Sequence, residues 1–205
     1  MDLESDYRML IGGGLVSSAR EINVINPANG QVFASAPDCS AEQLIQAVLA
    51  AQQAFKSWRD VPLKERQACL KRAADVLIEH ADDLARLFTR EQGRPTEGAK
   101  SEMLVGAAWL KAYSEVELPV QTIDKGDGQR IEVSHVPLGV VCAISPWNFP
   151  VNLSMWKVAP ALAAGNCMVL KPSPYTPFEA LILGQIAEEV GLPKGVLNVV
   201  TGGID

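Results

Sequence analysis

Basic residues, histidine, closely spaced cysteines and long apolar runs are all scarce in this 205-residue chain, and each scarcity removes a class of function. Eighteen Lys and Arg against 24 Asp and Glu leave a formal net charge of −6. Phosphate contacts need clustered cations, so nucleic acid is not an expected partner. Two histidines, His80 and His135, and four cysteines, Cys39, Cys69, Cys142 and Cys167, form no CxxC pair or other ligand spacing, and no metal is expected. The cysteines sit in apolar surroundings and read as reduced core thiols of a cytoplasmic protein. The most apolar stretches, 136–147 and 158–170, are broken by Pro, Gly or Asn and cannot span a bilayer. The opening residues, Met1 to Asp6, are acidic and lack the basic flank of a secretory signal. A glycine-rich phosphate loop is missing as well. Gly12-Gly13-Gly14 comes nearest, but Ser17 stands where the third glycine belongs, and the segment reads as a turn.

What is present is a folding composition, 48% hydrophobic and 20% charged. Residues 7–35 read as short strands and turns, with Asn29-Gly30 predicting a tight hairpin turn. Four helices follow. Ser40 and Gln43 form a capping-box pattern ahead of Leu44, Ala47, Val48, Ala51 and Phe55 at helical spacing. The next two helices cover 63–80 and 82–92, the second stopped by Gly93 and Pro95. The fourth covers 97–117, with Lys100, Glu102, Lys111 and Glu115 assigned to its solvated face. Residues 122–129 read as a loop and 130–136 as a half-buried strand.

From Val140 onward short apolar strands alternate with helices: 140–144, helix 150–164, 167–170, helix 178–190, 196–200. That rhythm predicts an α/β fold, half of a doubly wound, Rossmann-like parallel sheet with its strands buried on both faces. Ligands of such sheets bind beyond the carboxyl ends of the strands. Those ends hold Ser145 to Asn148, Lys171 to Pro174 and Thr201 to Gly203. Lys171 occupies the position where an acid usually addresses ribose; as a donor it suits ribose oxygens or a 2′-phosphate. Asn148 admits two readings. It can be the N-cap of the helix that Pro150 begins, or its amide can face a substrate oxygen that becomes negative in the transition state. Trp147, Phe149 and Trp156 suit either a helix-on-sheet core or an apolar substrate tunnel.

Several motifs in order resemble the aldehyde dehydrogenase family: Asn26-Pro27-Ala28-Asn29-Gly30, Trp58 with Glu65-Arg66, Glu91-Gln92-Gly93-Arg94-Pro95, Pro146-Trp147-Asn148-Phe149-Pro150, residues 157–166, Lys171-Pro172-Ser173 and residues 191–200. The resemblance runs from about Leu10 to Gly202. It implies NAD- or NADP-linked oxidation of an aldehyde to an acid through a cysteine thiohemiacetal. Asn148 would be the oxyanion-hole side chain. Ile144, Ser145, Pro146, Trp147, Asn148, Lys171, Pro172, Ser173, Pro174 and Gly202 would border the cofactor, and Phe149, Leu153 and Trp156 the aldehyde tunnel. It further implies three regions: 1–128 packing on the cofactor domain, 129–143 as a strand arm that pairs subunits into a homo-oligomer, and 144–205 opening the cofactor-binding βαβαβ unit.

Two departures stand out. Where the family often has Glu after Lys-Pro-Ser, this chain has Pro174, which leaves NAD against NADP open. The family's nucleophilic Cys, its base Glu and the catalytic domain that carries them are not in these residues, and the parallel sheet is expected to end after three strands with an open apolar edge. The chain therefore reads as an N-terminal portion, inactive alone. Three alternatives stand beside it: a non-catalytic chain that binds nucleotide or pairs with other subunits, a CoA-acylating or semialdehyde branch of the same superfamily, and an unrelated flavodoxin-like module.

Overall fold

A computed structural model describes residues 7–124 and 126–203; the acidic opening segment Met1 to Asp6, Lys125 and the last two residues lie outside the described residues. The strands are β1 (Met9–Ile11), β2 (Gly14–Val16), β3 (Arg20–Asn26), β4 (Gln31–Asp38), β5 (Gln121–Asp124), β6 (Arg130–Val133), β7 (Val140–Ile144), β8 (Cys167–Lys171) and β9 (Leu197–Val199). The helices are α1 (Ala41–Trp58), α2 (Leu63–Glu79), α3 (Ala81–Gln92), α4 (Thr96–Tyr113), α5 (Pro150–Ala163) and α6 (Phe178–Glu189).

The main sheet runs β2-β1-β9-β8-β7. Its β7, β8 and β9 are parallel and joined through α5 and α6, as the alternating pattern predicts. The expected open edge after the third strand is corrected. The chain's own β1 pairs antiparallel with β9, Leu10 opposite Val199, and β2 extends the sheet beyond it. Gly12 and Gly13 take positive φ in the β1–β2 turn. The Gly12 N–H donates to the buried Asn198 amide oxygen at 2.8 Å, so these glycines make a docked turn, as the spacing had argued. β8 and β9 are buried, whereas β7 is partly exposed with Cys142 and Ile144 open to solvent. An edge strand lacks the neighbour that would bury it, and this corrects both the doubly buried β7 and the apolar placing of Cys142.

Several local expectations hold. Ser40 and Gln43 close the capping box on α1, and Gly93 ends α3 at φ 83°. The β3–β4 connection is wider than a two-residue turn: Asn26 pairs with Gln31, and Gly30, not Asn29, takes the positive φ. The region after α4 differs most. The helix stops at Tyr113, and residues 121–124 form β5, paired with β6, where a loop was expected. Every residue of β6 is exposed, so it is not half-buried. Residues 140–143 belong to the main sheet, and the β5–β6 hairpin forms a two-stranded sheet of its own. No helix among the described residues is long and apolar enough to cross a membrane.

Candidate functional site

The three parallel strands end side by side. Ile144 is in register with Lys171, the Ser145 N–H donates to the Lys171 carbonyl at 3.1 Å, and the Val200 N–H donates to Leu170 at 3.0 Å. The predicted segments 145–148, 171–174 and 201–203 thus leave the sheet at one end. Thr201 is tied to the β4 exit, its hydroxyl donating to Pro37 and its carbonyl accepting from the Cys39 N–H at 2.9 Å. A Cβ on Gly202 would lie 3.8 Å from Asp38 Oδ1 and 4.0 Å from Lys171 Cε, so these three residues meet.

Lys171 is half-buried and its Nζ donates to the Pro172 carbonyl at 3.1 Å, which leaves two further donors. Burial holds its ammonium below the ordinary lysine value. Ser173 is buried and its hydroxyl accepts from the Tyr175 N–H at 3.2 Å, fixing the turn that carries Pro174. Beside these ends lies a groove of about 970 Å³, with Trp147, Pro174, Tyr175 and Gly203 on one side and β3 with Glu91 and Gln92 on the other. Thr176 lines the groove and its hydroxyl is buried without a partner among the described residues, as is that of Ser145 just past β7. A separate, wholly apolar cavity of about 40 Å³ between α2, α5 and α6 offers no polar group and no chemistry.

The aromatic residues are not core. Trp147, Phe149 and Trp156 are 55%, 45% and 52% exposed, which corrects the helix-on-sheet reading. Phe149 lies against the Arg94 guanidinium, 4.3 Å from its centroid, and Trp156 stacks on Trp109 at 5.5 Å. With half-buried Leu153 they form an open face along α5. The N-cap of α5 is Phe149, not Asn148, and neither of these two side chains caps that helix. Asn148 is exposed, and its side-chain amide has no hydrogen-bond partner among the described residues.

The sequence reading missed the residues behind this turn. Glu102, assigned to a solvated face, is buried at 4% exposure and pairs with Arg94. Burial raises its carboxyl, and the Asn152 and Val151 N–H groups and Arg94 draw it back. Its position was legible: Glu102 falls on the same stripe of α4 as Ala99, Met103, Gly106 and Leu110, all buried. Glu91 accepts from the Phe178 N–H at 2.6 Å and nothing in its spacing announced that.

The aldehyde dehydrogenase family model matches residues 15–205. Glutarate-semialdehyde dehydrogenase of Pseudomonas aeruginosa is 44% identical over 90% of this chain and 39% of its own length. Succinate-semialdehyde dehydrogenase [NADP(+)] of Escherichia coli is 42% identical over 91% and 39%. Among solved structures, an E. coli NADP-dependent enzyme superposes with a TM-score of 0.94 at 40% identity, over 98% of this chain and 43% of that one. Betaine aldehyde dehydrogenase of Staphylococcus aureus in complex with NAD+ gives 0.91 at 33%, over 96% and 41%. The chain spans about two fifths of the length of the relatives it matches. Both the residue-level motifs and the fold carry the likeness, and the chain belongs to the aldehyde dehydrogenase family.

Proposed function

We propose that these residues are the cofactor-binding first part of an NAD(P)-dependent aldehyde dehydrogenase that oxidises an aldehyde to a carboxylic acid, with the nucleophile and base supplied from outside this stretch of chain. The observation that carries the reading is that Lys171 and Gly202 meet at one end of the parallel sheet, the end from which the turn carrying Asn148 also leaves. The residues suit a nicotinamide dinucleotide. Lys171 has donors to spare for ribose oxygens, Gly202 and Gly203 leave room beside them, and Ser145 and Thr176 carry unpartnered buried hydroxyls. When bound, the dinucleotide would take up the hydride that leaves the aldehyde carbon. The protein's part is to orient and to stabilise charge. Asn148, solvent-facing with its amide uncommitted, is available to donate to the substrate oxygen as it gains charge. Phe149, Leu153 and Trp156 present an apolar surface to an aldehyde's carbon chain. The β5–β6 hairpin, with Ile123, Ile131 and Val133 exposed, is the arm that pairs subunits into an oligomer.

None of the four thiols suits the nucleophile. Cys167 is buried and pushed up to about 12, and burial also raises Cys39. Cys69 borders the apolar cavity, and Cys142 lies in the middle of β7, away from the strand end that carries Asn148. The purified 205-residue chain is therefore expected to reduce neither NAD nor NADP in the presence of an aldehyde, because covalent catalysis needs an activated nucleophile. Calorimetric titration of the same sample with each dinucleotide tests the binding half. Turnover that a thiol-blocking reagent abolishes would overturn the assignment and point to Cys142.

Cofactor choice follows from Pro174. A Glu there would accept from ribose hydroxyls and repel a 2′-phosphate; Pro does neither, while Lys171 attracts the phosphate. Discrimination between the two dinucleotides is expected to stay under about a hundredfold, roughly 2.7 kcal/mol. Pro174→Glu should shift the preference towards NAD relative to a Pro174→Gln control. Identical ratios in those two variants would show that charge at this position does not govern the choice.

A further inference from the structure

Asn148 stands in an exposed turn with no partner for its side-chain amide among the described residues, yet a transition-state donor has to be held in one direction. The backbone around it is held from two sides. Its carbonyl accepts from Arg94 Nη2 at 2.9 Å and from Gln92 Nε2 at 3.4 Å. The other arm of the Arg94 guanidinium pairs with Glu102. Glu102 Oε1 in turn accepts from the N–H groups of Val151 at 3.1 Å and Asn152 at 3.2 Å, in the first turn of α5. Those N–H groups are what an N-cap side chain would normally satisfy, and Phe149 cannot do so. The carboxylate also faces the positive end of the helix dipole.

The sequence makes room for this arrangement. Gly93 turns the chain at φ 83°, and a Cβ there would come within 2.7 Å of Pro27 Cγ. A Cβ on Gly98 would lie 3.2 Å from Arg94 Cγ and 3.3 Å from Cδ. The Arg94 guanidinium also covers the Phe149 ring, next in sequence to Asn148. A buried ion pair is a poor stabiliser compared with packed apolar side chains, because desolvation cancels much of the attraction. An apolar pair could fill the same space, but it could not bind the 148 carbonyl and the 151 and 152 N–H groups together.

We propose that Gln92, Arg94 and Glu102 are positioning residues, a clamp that fixes the Asn148 carbonyl and the first turn of α5 and so sets the direction of the Asn148 amide. The proposal rests on the oxyanion-donor reading of Asn148. It gives a role to the Gln92-Gly93-Arg94 motif that the sequence singles out without explaining.

The test is ¹⁵N relaxation of the 205-residue chain, comparing the backbone N–H groups of Asn148 and Phe149 with that of Val169 in β8. The native chain should give rigid order parameters near 0.85 at all three. Arg94→Met should lower Asn148 and Phe149 to below about 0.6 while Val169 is unchanged. Arg94→Lys, which keeps a charge and a donor, should restore part of that order, and Glu102→Gln should fall between native and Arg94→Met. The two milder variants serve if Arg94→Met does not fold. Asn148 remaining as rigid in the variants as in the native chain would overturn the clamp, and so would equal loosening at Val169, which marks general destabilisation. Loss of order at Asn148 combined with normal turnover of Asn148→Ala in an active enzyme would leave the clamp standing and sink the donor reading instead.

Discussion

Asn148→Ala, made in an active enzyme that carries this segment, is expected to lower kcat by roughly a hundred- to a thousandfold with little change in dinucleotide affinity. The reasoning is that an oxyanion donor acts where charge develops, in the transition state, and contributes little to binding of the ground state. The structure sharpens the contrast with a purely structural role. A capping Asn would cost about 1 kcal/mol of stability when truncated. Here Phe149 occupies the N-cap position and the Asn148 amide is exposed and unpartnered among the described residues. The interactions that fix the turn use its backbone carbonyl, which Ala retains. The loss of stability is therefore expected to stay within about 0.5 kcal/mol. Turnover and thermal unfolding of the same variant decide the matter: near-native kcat rules out the donor role.

The second large effect concerns two buried carboxyls. Glu91, at the end of α3, and Glu179, at the start of α6, are both buried and close enough to repel each other when ionised. Burial raises Glu91 to about 8, and the Phe178 and Glu179 N–H groups only moderate the rise. Glu179 is raised well above the carboxylate range by burial first and by Glu91 second, and the Ala180 N–H offsets only part of this. Neither oxygen of Glu179 makes a full hydrogen bond among the described residues. The unfolded chain ionises such a carboxyl near 4.5, so between that pH and about 8 the folded state binds more protons than the unfolded one. Stability present below pH 4.5 is thus lost as pH rises through about 8. Thermal unfolding should show the chain distinctly less stable at pH 8 than at pH 5. Glu179→Met, which removes a titratable carboxyl and two unsatisfied oxygens at similar volume, should raise stability at pH 8 by about 1–3 kcal/mol and flatten the pH dependence. A native chain equally stable at both pH values would show that the two carboxyls are not protonated in the fold.

How far the sequence determined this protein can be seen residue by residue. The capping box at Ser40, the stop at Gly93, the strand–helix alternation after Val140 and the three loops at the strand ends were all legible. Each depends on a handful of neighbouring residues, through backbone φ and ψ, capping or hydrophobic period. Tertiary structure decided the rest. That β1 covers the edge of β9 depends on a pairing of Leu10 with Val199 from opposite ends of the chain. That β7 is half exposed, and Cys142 with it, depends on which strand lacks a neighbour. Glu102 lay visibly on an apolar stripe, but only packing brings Arg94 and the first turn of α5 to it. Asn148 could be named from its motif, yet the choice between helix cap and free donor waited on the backbone, which put Phe149 in the capping position and left the Asn148 amide in solvent. Local geometry is written in adjacent residues; the partner of a strand edge, a buried charge or a turn carbonyl comes from segments far apart in the chain, and only their folding together brings it into place.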